Sequence, residues 1–263
     1  MPTLVSYNVL ADSSIRPDWY PHTPSEWLDP AVRHPALVTE IVAFDADIVA
    51  LQEVERPVFN ALQERLSALG YVGRYAPKGR NKPDGCATFV RTSASPTVTW
   101  QRLAYSDGDS ARADSGHVAL LALLEVAGKT LGVANTHVKW APPDTPRAAH
   151  IGARQVDELA HACAAQPCDG WVVCGDINCA PDSAVLDGLV AAGFVDAHGG
   201  LASATCNANR NPRKLDHVFV ADAIDVIPGA IDPVAADTPM PSSSHPSDHL
   251  PVHVTLRWRA ANS

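Results

Sequence analysis

WVVCGDIN, residues 171–178, runs through four apolar positions before turning polar at Asp176 and Asn178. A run that is apolar at every position, not at alternate ones, suits a strand covered on both faces. DIVALQ (47–52) has the same character. LVSY (4–7), ATFVR (87–91), HVALLALLEV (117–126), TLGVANTHV (130–138) and LDHVFV (215–220) add short runs rich in β-branched or apolar residues. The last run, LPVHVTLRW (250–258), alternates, setting Val252, Val254, Leu256 and Trp258 against His253, Thr255 and Arg257. Between these strands, Pro35, Pro57 and Pro146 each open a stretch with helical apolar spacing. In the second stretch Val58, Leu62, Leu66 and Leu69 share a face that stops at Gly70, a residue suited to a helix C-terminus. Strands alternating with helices predict an α/β fold with sheets inside and helices outside.

The 263 residues, 46% hydrophobic and 19% charged, have a globular balance and are numerous enough to bury a large core without covalent staples. The proline-rich loops at 17–30, 141–146 and 233–246 are too short for linkers, so one domain is expected over 1–263. Val118 to Leu124 is the longest strongly apolar run, far short of the ~20 residues of a membrane helix. MPTLVSYN carries no signal-peptide pattern. A cytoplasmic protein without membrane association is expected. Cys86, Cys163, Cys168, Cys174, Cys179 and Cys206 form no CxxC pair. The spacing from Cys163 to Cys179 suits no common zinc knuckle, so these read as buried small apolar residues. A net charge of −9 argues against electrostatic wrapping of duplex DNA, but leaves room for local phosphate capture aided by a divalent cation.

Familiar nucleotide and hydrolase motifs fail. GKT at 128–130 lacks the first glycine of a P-loop and joins two strands, which makes it a hairpin turn. Neither GxGxxG nor GxSxG occurs, so dinucleotide redox chemistry and serine hydrolysis lack support.

What does recur is a polar residue at the end of a buried strand. Asn8, Glu53, His137, Asp176 and Asn178 follow apolar runs, Asp216 opens one, and Asp248 and His249 precede the last. Carboxylates with an adjacent amide can hold Mg²⁺ or Mn²⁺ and deprotonate a water, while two histidines donate to phosphate oxygens. Together they describe metal-assisted hydrolysis of a phosphoester.

NVL (8–10), LQEVE (51–55), NTHVKW (135–140), GDIN (175–178), LDHVFV (215–220) and SDHLPV (247–252) resemble the endonuclease/exonuclease/phosphatase superfamily. SYNVLAD, KPDGCATFVRTS (82–93), VALLALLE and NTHVKWAP look most like its deadenylase, nocturnin and 2′-phosphodiesterase branch. Ser115-Gly116-His117 stands where that branch usually has an Asp-Asn pair. The resemblance implies a four-layer α/β sandwich of two packed mixed sheets flanked by helices. It implies Glu53 as the principal Mg²⁺ ligand, with Asn8 and Asp248 on the metal side. Asp176 would activate water, Asn178 orient it, His137 bind phosphate, and His249, oriented by Asp216, face the scissile phosphate.

Substrate contacts are expected from Lys78, Arg80 and Lys82, and from Arg213 and Lys214 before Asp216. Trp19, Tyr20, Trp27 and Trp140 are available either to stack bases or to anchor loops. The expected activity is Mg²⁺-dependent hydrolysis of nucleotide phosphodiesters or short single-stranded RNA, of the 3′–5′ exoribonuclease or 2′-phosphodiesterase type. The alternative is a phosphomonoesterase of a small nucleotide or sugar phosphate. The expected partner is the nucleotide or nucleic-acid substrate itself, with no adaptor module in the chain.

Overall fold

A parallel pair of strands sits at the middle of each of two six-stranded sheets. In the first sheet the pair is β1 (Thr3–Asn8) and β2 (Ile48–Glu55). In the second it is β7 (Lys129–His137) and β8 (Gly170–Asp176). The computed structural model describes residues 1–108, 113–199 and 203–260. Around the first pair lie β3 (Tyr71–Pro77), β4 (Asp84–Arg91), β11 (Ile224–Pro228) and β12 (Val252–Trp258), in the order β11-β12-β1-β2-β4-β3. Around the second lie β5 (Val98–Ala104), β6 (Val118–Val126), β9 (Phe194–Asp196) and β10 (Asp216–Ala221), in the order β5-β6-β7-β8-β10-β9. Every pairing outside the two central ones is antiparallel.

The sheets pack face to face. Leu4, Ile48, Ala50, Val90 and Val254 from one meet Val133, Val172, Cys174 and Val218 from the other. Alternate residues of the same strands point outward. Val5, Tyr7, Val49 and Leu51 face α1 (Pro30–Ala43) and α2 (Arg56–Ser67), while Ala134 and Val173 face α3 (Ile151–Ala164) and α4 (Asp187–Ala191). Each fully buried Val or Leu contributes roughly 1.5–3 kcal/mol. Burial on both faces explains the continuously apolar runs, and the expected four-layer sandwich of two mixed sheets with flanking helices is what forms.

The sequence predicts eight strands, and twelve are present among the described residues. The four additional ones, β3, β5, β9 and β11, are the four sheet edges. The first helix begins earlier than expected, at Pro30. Asp29 caps it by accepting from the Ala31 N–H at 2.8 Å, and Pro35 lies inside the helix. Pro146 opens a short 3₁₀ turn, Arg147–Ala149, and α3 starts after His150. In α2, Val58, Leu62 and Leu66 are buried, but the helix stops before Leu69, which is exposed. GKT is a hairpin turn, with Ala127 and Gly128 both at positive φ between β6 and β7. All six cysteines are free, and Cys163 and Cys174 pack into the two sheet cores. Among the described residues no helix is long and apolar enough to cross a membrane.

Gly175 is a local necessity. Its φ is +143°, and a Cβ there would lie 1.8 Å from the Thr136 carbonyl oxygen. Only glycine lets β8 run this close to β7 immediately before Asp176.

Candidate active site

Because each central pair is parallel, its two strands finish at the same edge, and both sheets present that edge together. Asn8 ends β1 beside Gln52, and His137 ends β7 directly opposite Asp176 at the end of β8. Asp216 starts the antiparallel β10 and also pairs with Asp176. In β2 the register slips between Leu51 and Val54, with Glu53 at φ +55°, a strained backbone that redirects its carboxylate toward Asn8. Asn178 is likewise left-handed, and its N–H donates to Asp176 Oδ1 at 2.9 Å.

Asp176 Oδ2 is the meeting point. It accepts from Asn8 Nδ2 at 2.9 Å and lies 3.7 Å from His137 Nε2 and 3.8 Å from His249 Nε2. Asn8 Nδ2 also donates to Glu53 Oε1 at 3.1 Å, and Glu53 Oε2 accepts from the Ala11 N–H at 3.0 Å. His249 Nδ1 donates to Asp216 Oδ2 at 2.7 Å, an oxygen that also accepts from Thr205 Oγ1 at 2.6 Å. Asn178 Nδ2 donates to the Val138 carbonyl at 2.9 Å and meets His137 Nε2 at 3.1 Å.

Burial pushes the Asp176 carboxyl up to about 7, with the Asp216 and Glu53 charges adding to the rise and His249 opposing it. Burial also acts against Glu53, but Lys78 and the Asn8 hydrogen bond hold it below the ordinary glutamate range. His249 is buried yet raised, because the Asp216 charge favours its imidazolium. His137 is lowered by burial and by the neighbouring Lys78.

Asn8 and Asp248, the other two residues expected on the metal side, make further contacts. Asn8 Oδ1 accepts from the Leu10 N–H at 3.0 Å, which turns the amide nitrogen toward the carboxylates. Asn8 thereby tethers Glu53 to Asp176. Asp248 accepts from Tyr20 OH at 2.9 Å and stands with Cys206 and His249, while Glu53 groups with His137 and Asp176. Tyr20 is thus a buried anchor for the first loop, and Trp19 beside it is exposed.

The expected basic residues separate. Lys78 is buried against Asp84, with Nζ 3.2 Å from His137 Nδ1. Lys82 Nζ is 3.4 Å from His117 Nδ1, and the His117 ring stands edge-on to His137 at 5.7 Å. Arg80 is exposed and donates to the Asp114 carbonyl at 3.2 Å. Lys214 is buried in an ion pair with Asp196 at 3.1 Å. Arg213, Lys214 and Trp140 line a cleft of about 500 Å³ that shares Asn178 with the site.

Sequence reading missed the supports beneath. Gln52 Nε2 donates to Asn135 Oδ1 at 2.8 Å, and Asn135 Nδ2 donates to the Leu51 and Ala87 carbonyls, clasping the two sheets. A polar residue inside each otherwise buried strand was the available signal. Thr205 carried none, and His117 only its place where the resembled branch has an Asp-Asn pair.

Residues 5–249 match the model of the Endonuclease/Exonuclease/phosphatase family. The chain is 31% identical over 165 residues to the CCR4-Not complex 3′-5′-exoribonuclease subunit Ccr4 of Aspergillus oryzae, covering 53% of this chain and 22% of that protein. It is 26% identical over 321 residues to 2′,5′-phosphodiesterase 12 of Bos taurus, covering 97% and 51% respectively. The chain thus spans about half or less of the length of these curated relatives. The crystal structure of ANGEL2, a 2′,3′-cyclic phosphatase, shares the fold with a TM-score of 0.82 at 21% identity, covering 97% of this chain and 94% of that one. A match that runs through nearly the whole chain and takes in the strand ends described above makes this chain a member of the Endonuclease/Exonuclease/phosphatase family of hydrolases.

Proposed function

We propose that this chain hydrolyses phosphodiester bonds in nucleotides or short single-stranded nucleic acid, by in-line attack of a water that Asp176 deprotonates. The observation that carries the reading is the convergence on Asp176 Oδ2 of Asn8 from one sheet, His137 from the other, and His249 from the loop before β12. Relatives whose names are those of a 3′-5′-exoribonuclease subunit, a 2′,5′-phosphodiesterase and a 2′,3′-cyclic phosphatase support a phosphodiester substrate.

The donor set fits a hard divalent cation. Half-buried Glu53 and buried Asp176 are two carboxylates tied to one amide, and negative charge gathered this closely favours a cation beside it. Glu53 would hold Mg²⁺, or Mn²⁺, beside Asp176, with water and substrate oxygens completing the shell. When bound, the cation offsets negative charge on the phosphate oxygens.

The protein groups have separable tasks. Asp216 fixes His249 through Nδ1, so Nε2 faces the space beside Asp176, where it donates to a phosphate oxygen as charge builds. Asn178 holds Asp176 Oδ1 through its backbone, leaving Oδ2 to take the proton of water. Both amide hydrogens of Asn178 face partners, so its side chain has an oxygen to offer the water. His137 and Lys78 bind the phosphate, and Trp140 with Arg213 in the cleft takes the nucleoside.

A cleft of about 500 Å³ lies within the usual range for small-ligand sites and favours one to three nucleotides over a long strand. The test is Mg²⁺-dependent turnover of a dinucleotide, oligoribonucleotides of increasing length, DNA, and nucleotide monophosphates. Dinucleotides should be cleaved nearly as well as oligomers, with a shallow salt dependence of kcat/KM. A steep rise with length that collapses in salt contradicts the short-substrate reading. Turnover of monophosphates alone supports the phosphomonoesterase instead.

A further inference from the structure

Cys206, Asp248 and His249 bring a sulfur, a carboxylate oxygen and an imidazole nitrogen within 4.8 Å of one another. All three residues are at least nine-tenths buried. The segment carrying Cys206 pairs by a backbone bridge with His249, and Asn207 donates its N–H to the Asp248 carbonyl at 2.9 Å, so the backbone holds the three together. Asp248 binds Tyr20 through Oδ2, while its Oδ1 is buried with no hydrogen-bond partner among the described residues. A buried Asp248 that keeps one oxygen unpaired, in a cluster with a thiol and an imidazole, has a lone pair to offer a cation. The cluster's chemistry differs from that of Glu53 and Asp176. Thiolate with imidazole and one carboxylate is a borderline-soft set, which selects zinc over magnesium. A tetrahedral zinc shell would take these three atoms with water as fourth ligand.

We infer that Cys206, Asp248 and His249 form a site for a zinc-like divalent cation, distinct from the Mg²⁺ position, whose occupancy switches hydrolysis off. Binding releases the Cys206 thiol proton and one proton of the His249 imidazolium to solvent, and commits that nitrogen to the metal. His249 then no longer donates to phosphate, a consequence that rests on the proposed phosphodiesterase reading. The site itself does not.

The two parts are tested separately. Co²⁺ is titrated into the purified, Mg²⁺-free protein and the absorption spectrum recorded. The wild type should develop a near-ultraviolet thiolate-to-Co²⁺ charge-transfer band that Zn²⁺ displaces, and both Cys206→Ser and Cys206→Ala should lose it. Absence of the band, or its survival in both variants, overturns the site. Zn²⁺ is then titrated against Mg²⁺-supported turnover. The half-inhibiting concentration should rise roughly 10–100-fold in Cys206→Ser, the scale at which altered metal-site contacts act. Equal sensitivity of wild type and variant overturns the switch. A wild type that cleaves no phosphodiester with Mg²⁺ refutes the functional reading and the switch, while the cobalt spectrum still decides the site.

Discussion

Asn8 and Asp176 lie 168 positions apart in the chain, yet the amide of one donates to the carboxylate of the other at 2.9 Å, joining the two sheets at the site. Both residues are almost wholly buried. The same amide nitrogen reaches Glu53, so a single side chain sets the spacing between two carboxylates that would otherwise repel.

Asp176→Asn should keep the Asn8 and Asn178 contacts in shape while removing the proton acceptor. We expect kcat to fall about 10²–10⁴-fold, the usual scale for loss of a general base, with KM little changed. Steady-state kinetics on a dinucleotide decides it. A raised KM with kcat intact would make Asp176 a binding residue.

Gly175→Ala probes the backbone that positions Asp176. The added Cβ meets the Thr136 carbonyl oxygen at 1.8 Å, and φ of +143° is foreign to alanine. A loss of about 3 kcal/mol or more is expected, since strain and overpacking act together. Urea unfolding measures it, and a change below about 1 kcal/mol would show that β7 and β8 relax freely.

Stability should also carry a pH signature remote from the site. Glu40 on α1 accepts from Tyr7 OH at 3.0 Å, and burial raises its carboxyl from 4.5 to about 7, the hydrogen bond only partly opposing. Between those values the folded state binds more protons than the unfolded one. Stability is therefore fully present below about pH 4.5 and falls as pH rises through about 7, by about 1–3 kcal/mol. Glu40→Gln should flatten this part of the curve. An unchanged slope in denaturant melts from pH 5 to 8 would remove Glu40 as its cause.

How much of this was legible in the chain follows from burial. Most inner strands declare themselves because both faces are covered, as in Trp171–Cys174 and Ile48–Leu51, and Val252–Trp258 does so by alternation. The edge strands β3, β5, β9 and β11 do not. Val98–Ala104 mixes Thr99, Gln101 and Arg102 with apolar residues, and Phe194–Asp196 is only three residues long. Edges carry such short or polar segments because an apolar edge invites further pairing. Strand-end residues such as His137, Asp176 and Asp216 were readable because a polar group closes an apolar run. Asn8 was legible as a site residue but not as a tether, since amide orientation depends on the Leu10 N–H. Asp29-Pro30 and Pro35 compete as helix starts in the sequence, and it is Asp29 that caps.

A divalent cation held by Glu53 beside Asp176 is tested most directly by one titration. Protein stripped with EDTA is given increasing Mg²⁺, and dinucleotide cleavage is followed for wild type and Glu53→Gln. Wild type should be inactive without metal and recover fully. The variant should need roughly 10–100-fold more Mg²⁺ for half-maximal rate, the scale on which perturbed metal sites weaken. Cleavage that persists in EDTA, or a Glu53→Gln variant with the wild-type Mg²⁺ midpoint and rate, would contradict it.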